Sequence, residues 1–289
     1  MGIKFRLIVM NFLQYAIWGS WLISLGAYLG GGLDFTGLQI GSFFATMGVA
    51  SLFMPAVMGI IADRWIPAQK LLGICHLVSG GFLIAAASQT AYGPLYSCML
   101  LSVMFYMPTI ALSNSVAYNA LDLARLDTVK HFPPIRVWGT VGFIAAMWFV
   151  DLTHIGGVQI KLTEWQLYVS AVLSFLLAVY SFSLPGCPVD RTVKARSWVD
   201  TLGLRAFTLF KEKRMAIFFV FSMLLGAALQ ITNAFGDSYI QSFGSMPQYA
   251  DSAIVKHSVI LLSLSQMSET LCILLIPFFL RRLCRISTL

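Results

Sequence analysis

Charge is scarce in this sequence. Asp, Glu, Lys and Arg make up 11% of its 289 residues, against 58% hydrophobic residues, and the mean hydropathy is +0.80. A soluble domain carries about 25% charged residues. Too little charge is present to keep a globular surface wet, which excludes a water-soluble domain and points to a membrane protein. Acidic residues are the scarcer sign, 12 against 19 Lys and Arg, for a net charge of +7. Nucleic acid is not the expected partner, because the basic residues cluster between apolar runs, where membrane topology places them. Metal-binding patterns are missing too. The five cysteines (Cys75, Cys98, Cys187, Cys272 and Cys284) are scattered and odd in number, and read as small core hydrophobes. The histidines (His76, His131, His154 and His257) have no metal-ligand spacing. There is no glycine-rich phosphate loop after a strand, and no strand is expected. No nucleophile–base constellation is visible, so an enzyme is not expected, nor a cofactor or a metal.

Long apolar runs are what the sequence has in abundance. A membrane-spanning helix needs about 20 mostly apolar residues, and eight stretches qualify as candidates: 6–29, 40–62, 71–87, 94–120, 135–150, 165–184, 215–235 and 252–280. The fold class is therefore an all-α polytopic membrane protein. The fifth stretch is short and opens on Pro133-Pro134, which suits a helix start. The eighth is long, and Pro277 is expected to mark a kink or its end. The first run is too long for a signal peptide and reads as a first span.

The positions of Lys and Arg orient these spans. With the first residue cytoplasmic, only Lys161 and Lys256 of the 19 basic residues fall on the outer side. The positive-inside rule then places both termini in the cytoplasm. Residues 1–185 form a six-helix bundle, 186–214 a basic cytoplasmic linker, and 215–289 the start of a second bundle. Within the linker, 198–210 reads equally as an amphipathic interfacial helix or as solvated chain.

Polar residues inside greasy helices are costly and therefore informative. An arginine at the centre of a span costs about 2.5–3.5 kcal/mol on insertion scales. Arg136, Thr140 and Phe143 share one helical face. Gln230, Asn233 and Asp237 share another, and Gln266 and Glu269 a third. Stripes on separate helices suggest a common aqueous cavity, with interhelical hydrogen bonding as the alternative. Arg136 and Glu269 are the expected charge partners, and Glu269 and Asp237 the candidate proton-coupling carboxylates. Asn11, Gln14, Trp18, Ser20 and Trp21 in the first span, with Tyr106, Pro108, Asn114 and Tyr118 in the fourth, add amides and aromatics that suit a planar polar ligand. Gly26 with Gly30, and Gly37 with Gly41, mark close helix packing or a loop.

Between the second and third spans, Gly59-Ile60-Ile61-Ala62-Asp63-Arg64-Trp65-Ile66-Pro67-Ala68-Gln69-Lys70 resembles the cytoplasmic signature of the major facilitator superfamily. Pro67 and Ala68 occupy the turn where glycine is usual. In that superfamily the carboxylate and base, here Asp63 and Arg64 after Gly59, bridge helices and stabilise one conformation.

A narrower resemblance lies in Phe12-Leu13-Gln14-Tyr15-Ala16-Ile17-Trp18-Gly19-Ser20-Trp21, in Phe132-Pro133-Pro134-Ile135-Arg136-Val137-Trp138-Gly139-Thr140 and in Arg214-Met215-Ala216-Ile217-Phe218-Phe219. Gln230-Ile231-Thr232-Asn233 and Ser265-Gln266-Met267-Ser268-Glu269-Thr270 extend it. These strings are similar to bacterial nucleoside:proton symporters of the major facilitator superfamily, and the resemblance runs to about residue 280. It implies proton-driven uptake of nucleosides across the inner membrane by alternating access. It also implies that Arg136, Thr140, Phe143, Gln230, Asn233, Gln266 and Glu269 line the nucleoside site. The expected partners are nucleosides, protons and the lipid bilayer, with a single chain as the unit. About eight of the family's twelve transmembrane helices are present, and truncation of a longer chain is the expected reason. A sugar or oligosaccharide proton symporter, and a non-transporting fragment, remain as alternatives.

Overall fold

The computed structural model describes residues 2–189 and 209–286, with side chains as far as residue 272 together with that of Leu275. Much of the 186–214 linker, including most of the interfacial-helix reading, and the side chains of the basic residues of the tail lie outside what is described.

Helix α1, Ile3–Gly19, passes through a distorted stretch into the short α2, Leu25–Ala27, and a π-helical turn, Tyr28–Gly32. The first span is therefore not one regular helix. Hydrogen bonds from Leu22 to the Trp18 carbonyl and from Leu25 to that of Trp21 carry the chain across the distortion, while Ser24 turns its hydroxyl to Gln166 Oε1 at 2.8 Å. Helix α3, Gly37–Arg64, starts from a capping box: Thr36 accepts from the Gln39 backbone and the Gln39 side chain reaches back. Then come α4, Ala68–Ala87, and α5, Tyr92–Leu123, which continues through Pro108.

Helix α6, Thr128–Leu152, begins earlier than Pro133-Pro134 suggested. Asp127 caps it by accepting from the Val129 amide at 2.9 Å, and the two prolines sit inside the helix. Proline removes the N–H that would serve the carbonyl four residues back, here those of Val129 and Lys130. Both residues are exposed, so those carbonyls do not have to be satisfied in a dry interior. A hairpin of two two-residue strands, β1 His154–Ile155 and β2 Val158–Gln159, follows. It corrects the expectation of no strands. Gly156 and Gly157, both at positive φ, supply the two-residue turn. A 3-10 turn, Ile160–Leu162, leads into α7, Trp165–Ser181.

After the linker come α8, Lys213–Ser242, α9, Ala253–Lys256, and α10, Ser258–Ile286. The eighth span is thus interrupted at His257, and its helix runs on past Pro277. Among the described residues, α3, α4, α5, α6 and α8 with the turn after it, Lys213–Ser245, are long and apolar enough to cross a membrane, with α7 shorter.

Packing sorts these helices. α1 lies against α6 and α7, α4 against α5 and α7, and α3 against α5. The approach of α1 to α6 is close enough to require glycine. A Cβ on Gly142 would strike the Phe12 backbone carbonyl, and one on Gly19 the Phe143 carbonyl. From the later helices, α10 packs on α6, where Trp148 Nε1 donates to Ser263 Oγ at 2.9 Å. α8 meets α2, and there a Cβ on Gly26 would come within 2.6 Å of the Ala234 carbonyl. Gly37 and Gly41, read as close helix packing or a loop, have no such neighbour. Most of the apolar length of α8 is exposed.

Candidate functional site

Where α1 and α6 face α8 and α10, the structure holds a cavity of about 180 Å³. α1 contributes Tyr15 and Trp18, the distorted stretch after it Leu22, and α6 contributes Arg136, Thr140 and Phe143. α8 contributes Leu229, Gln230 and Asn233, and α10 contributes Gln266 and Glu269. Each set repeats at helical spacing, so one face of each helix turns toward the same space. All seven residues expected to line a common site therefore meet there.

The polar groups in this cavity are unevenly satisfied. The Arg136 guanidinium carbon lies 3.8 Å from the centre of the Tyr15 ring, a cation–π arrangement that anchors the charge. Gly139 makes room for it: a Cβ there would lie 2.5 Å from the Tyr15 ring and 2.8 Å from Arg136 Nη1. Trp18 meets Phe143 edge-on, with centroids 6.4 Å apart at 87°, and tilts against Tyr106 at 6.0 Å. The expected Arg136–Glu269 ion pair is not formed among the described residues. The two share the cavity, but Arg136 is stacked on Tyr15 instead. Trp18 Nε1 and Gln230 Nε2 are buried donors without a protein acceptor, and both residues line the cavity. Buried donors of this kind carry a desolvation cost until an acceptor reaches them.

Two expectations change. Gln14, grouped with Trp18 as a ligand contact, is fully buried away from the cavity. Its Nε2 donates to Thr109 Oγ1 at 2.7 Å, and its Oε1 lies 2.8 Å from His76 Nε2, which must carry the hydrogen there. His76 Nδ1 meets Ser174 Oγ at 3.2 Å, and the Tyr106 hydroxyl donates to the Gln14 carbonyl at 2.6 Å. These contacts tie α1, α4, α5 and α7 together, so the polar residues here bind helices to one another. Asn11 and Ser20 likewise bond to backbone carbonyls of their own helix, and Tyr118 packs on Phe132. Asp237, placed on the stripe of Gln230 and Asn233, does not reach the cavity. It lies one turn beyond Asn233 in a buried charged cluster with Ser258, Lys161, Asp151 and His257. Helical spacing put Asp237 on the right face but could not set its depth.

At the far end of the helices, Asp63 is exposed and Arg64 partly exposed. Neither forms an ion pair among the described residues, and a Cβ on Gly59 would meet open space. The start of the linker is tied down instead by Gln69 Oε1, which accepts from the Cys187 amide at 2.9 Å, and by Asn119, which donates to the Gly186 carbonyl. The residues that sequence reasoning missed are Tyr15, Leu22 and Leu229 in the cavity and Asp151, Lys161 and His257 in the cluster. Tyr15, Trp18 and Leu22 do repeat at helical spacing, a signal hidden by the pairing of Trp18 with Gln14.

Comparison with known proteins agrees with this architecture. The chain is 51% identical to the xanthosine permease of Escherichia coli K12 over 282 residues, which is 98% of this chain and 66% of the permease. It is 47% identical to the nucleoside permease NupG of the same organism, again over 98% of this chain and 66% of that protein. The chain thus spans about two thirds of the length of these curated relatives. Crystal structures of the nucleoside transporter NupG superpose with TM-scores of 0.88, for a point mutant, and 0.85. They share 47% identity, covering 97% and 98% of this chain and 69% and 68% of theirs. The fold is of the major facilitator type. A sequence profile described as nucleoside H+ symporter matches residues 1–289, and the chain belongs to that family.

Proposed function

We propose that this protein binds nucleosides in the cavity between α1, α6, α8 and α10 and carries them across the bacterial inner membrane together with protons. One observation carries the reading: two pairs of helices, from before and after the linker, converge a cation held on an aromatic ring, a carboxylate, amides and aromatic rings on one cavity. A nucleoside offers a flat apolar base, polar base edges and ribose hydroxyls. Phe143 and Trp18 suit the base face, while Gln230, Asn233, Gln266 and Thr140 suit the polar edges and Glu269 accepts from ribose hydroxyls. Arg136, held on Tyr15, donates to acceptors on the base.

In this reading, residues 1–185 and 215–289 belong to two bundles that rock about the site, joined by the 186–214 linker. The excess of basic residues on one side supports a cytoplasmic location for both termini. Asp63 and Arg64, after Gly59, act at the cytoplasmic end by pairing with charges that approach when the bundles move. Glu269, a carboxylate in the cavity, takes up the coupled proton. A single chain is the working unit.

The test is uptake of labelled uridine by the purified chain in liposomes under an inward proton gradient. Accumulation that collapses with a protonophore, and that unlabelled nucleosides but not disaccharides suppress, is the expected result. Suppression by disaccharides instead would favour the sugar-symporter alternative. Absence of both uptake and binding would remove the transporter reading.

A further inference from the structure

The most deeply buried charges lie beyond the cavity, at one end of the bundles. Asp151 closes α6, eight residues or roughly 12 Å past Phe143. Asp151, Lys161, Asp237 and Ser258 are each 1% exposed or less. The Lys161 ammonium pairs with Asp151, 2.6 Å from Oδ1, and donates to the Lys256 carbonyl at 2.9 Å and to Ser258 Oγ at 3.2 Å. Ser258 passes its own hydrogen to Asp237 Oδ1, and Gln241 donates to Asp237 Oδ2 at 3.0 Å. His257 Nδ1 lies 2.8 Å from Asp151 Oδ2. An ionised carboxylate only accepts, so Nδ1 carries the hydrogen.

Two features of this cluster matter together. It spans the seam: Asp151 and Lys161 come from the α6–α7 region, whereas Asp237, His257 and Ser258 come from α8 and the α9–α10 junction. Its formal charges also do not balance. Two carboxylates face one ammonium, which leaves one negative charge in a dry interior while the imidazole is neutral. Burying unbalanced charge is costly, and one proton on His257 removes the imbalance. His257, 37% exposed, is the member that solvent reaches. The flanking charged groups do not supply the missing positive charge. Lys256 turns to the exposed Asp251 at 3.0 Å, His154 bonds the Leu152 carbonyl, and Glu164 has no described ion pair with the cluster.

We propose that Asp151, Lys161, Asp237 and His257 form a proton-binding latch between the bundles, such that sealing this end takes up one proton at His257. Opening leaves the Asp151–Lys161 pair on one bundle, returns Asp237 to water, and releases the imidazole proton to the outside. The proposal rests on the two-bundle transporter reading, and it gives the outer gate, rather than the nucleoside cavity, a share in proton coupling.

The test uses the full chain in nanodiscs, with its native cysteines replaced and spin labels at Val158 and Ile254, two exposed positions on opposite sides of the seam. Double electron–electron resonance between pH 6 and pH 8.5 is expected to show the short-distance population dominant at low pH. Above the transition, the closed-to-open ratio falls about tenfold per pH unit, the slope of one proton. Asp237→Asn makes the cluster neutral without that proton, so its distance distribution should stay short at both pH values. His257→Gln should lose the pH response as well. A wild-type distribution that does not move with pH, or an Asp237→Asn chain that still responds, overturns the latch. Uridine binding on the same samples tests the nucleoside reading separately, so failure of one is distinguishable from failure of the other.

Discussion

Arg136 lies over the Tyr15 ring, its guanidinium carbon 3.8 Å from the ring centre, and Gly139 is the residue that allows it. The cation is held by an aromatic face of α1 rather than by the carboxylate across the cavity. It therefore keeps its hydrogen-bonding edge available to a ligand while its charge is stabilised.

Removing the ring should weaken binding without emptying the site of charge. Cation–π contacts contribute about 0.5–2 kcal/mol. Tyr15→Leu is expected to raise the uridine Kd by roughly 2- to 30-fold, and Arg136→Ala by more. Equilibrium binding to detergent-solubilised protein measures both. An Arg136→Ala chain with unchanged affinity would move the ligand out of this cavity.

Gly142 permits the closest approach of α1 and α6. A methyl group there meets the Phe12 carbonyl, which is backbone and cannot swing aside. Gly142→Ala should destabilise the bundle by about 1–3 kcal/mol, the range for overpacking. A thermal-shift assay should show a lower unfolding midpoint, whereas Gly81→Ala, at a helical position with open space around it, should not lower the midpoint.

His76 holds Gln14 and Ser174 from the centre of the first bundle. His76→Leu leaves the Gln14 oxygen without its donor in a fully buried position, at a cost of about 1–3 kcal/mol. Stability should fall while uridine affinity of the folded fraction stays near that of the wild type. A selective loss of affinity would assign His76 to the ligand instead.

Lys161 neutralises a buried carboxylate. Lys161→Met should cost about 3–5 kcal/mol, because Asp151 is left charged and dry. Adding Asp151→Leu should recover part of that loss, since it removes the carboxylate that Lys161 paired, while Asp237 keeps its hydrogen bonds from Ser258 and Gln241. Unfolding midpoints of the two single variants and the double variant form the cycle that tests this.

Glu269→Gln keeps the size and the hydrogen-bonding reach of the side chain but cannot take up a proton. Uridine binding should persist while uptake loses its dependence on the proton gradient. Gradient-driven uptake that survives the substitution would remove Glu269 from coupling.

Most of the helices and the seven cavity residues were legible in the sequence because membrane burial leaves a local trace. Apolar runs of about 20 residues stand out, and a rare polar residue in such a run recurs at helical spacing when one face is wet. That trace says which face a residue occupies, not what it meets there. Arg136 and Glu269 had the right faces and the wrong partnership, because Tyr15 reaches the guanidinium only where Gly139 lets α1 approach α6. Gln14 and Trp18 share a helical face, yet one is locked to His76 and Thr109 while the other borders the cavity. Asp237 followed the stripe of Gln230 and Asn233 and still ended in a different cluster. Lys161, counted as an outer loop charge, is buried at 1% exposure. The sequence by itself determined the membrane class, the helical segments and the polar stripes, since these depend on residues a few positions apart. Only the tertiary structure decided which buried charges pair, because each partner comes from another helix, at a depth set by how closely the backbones pack.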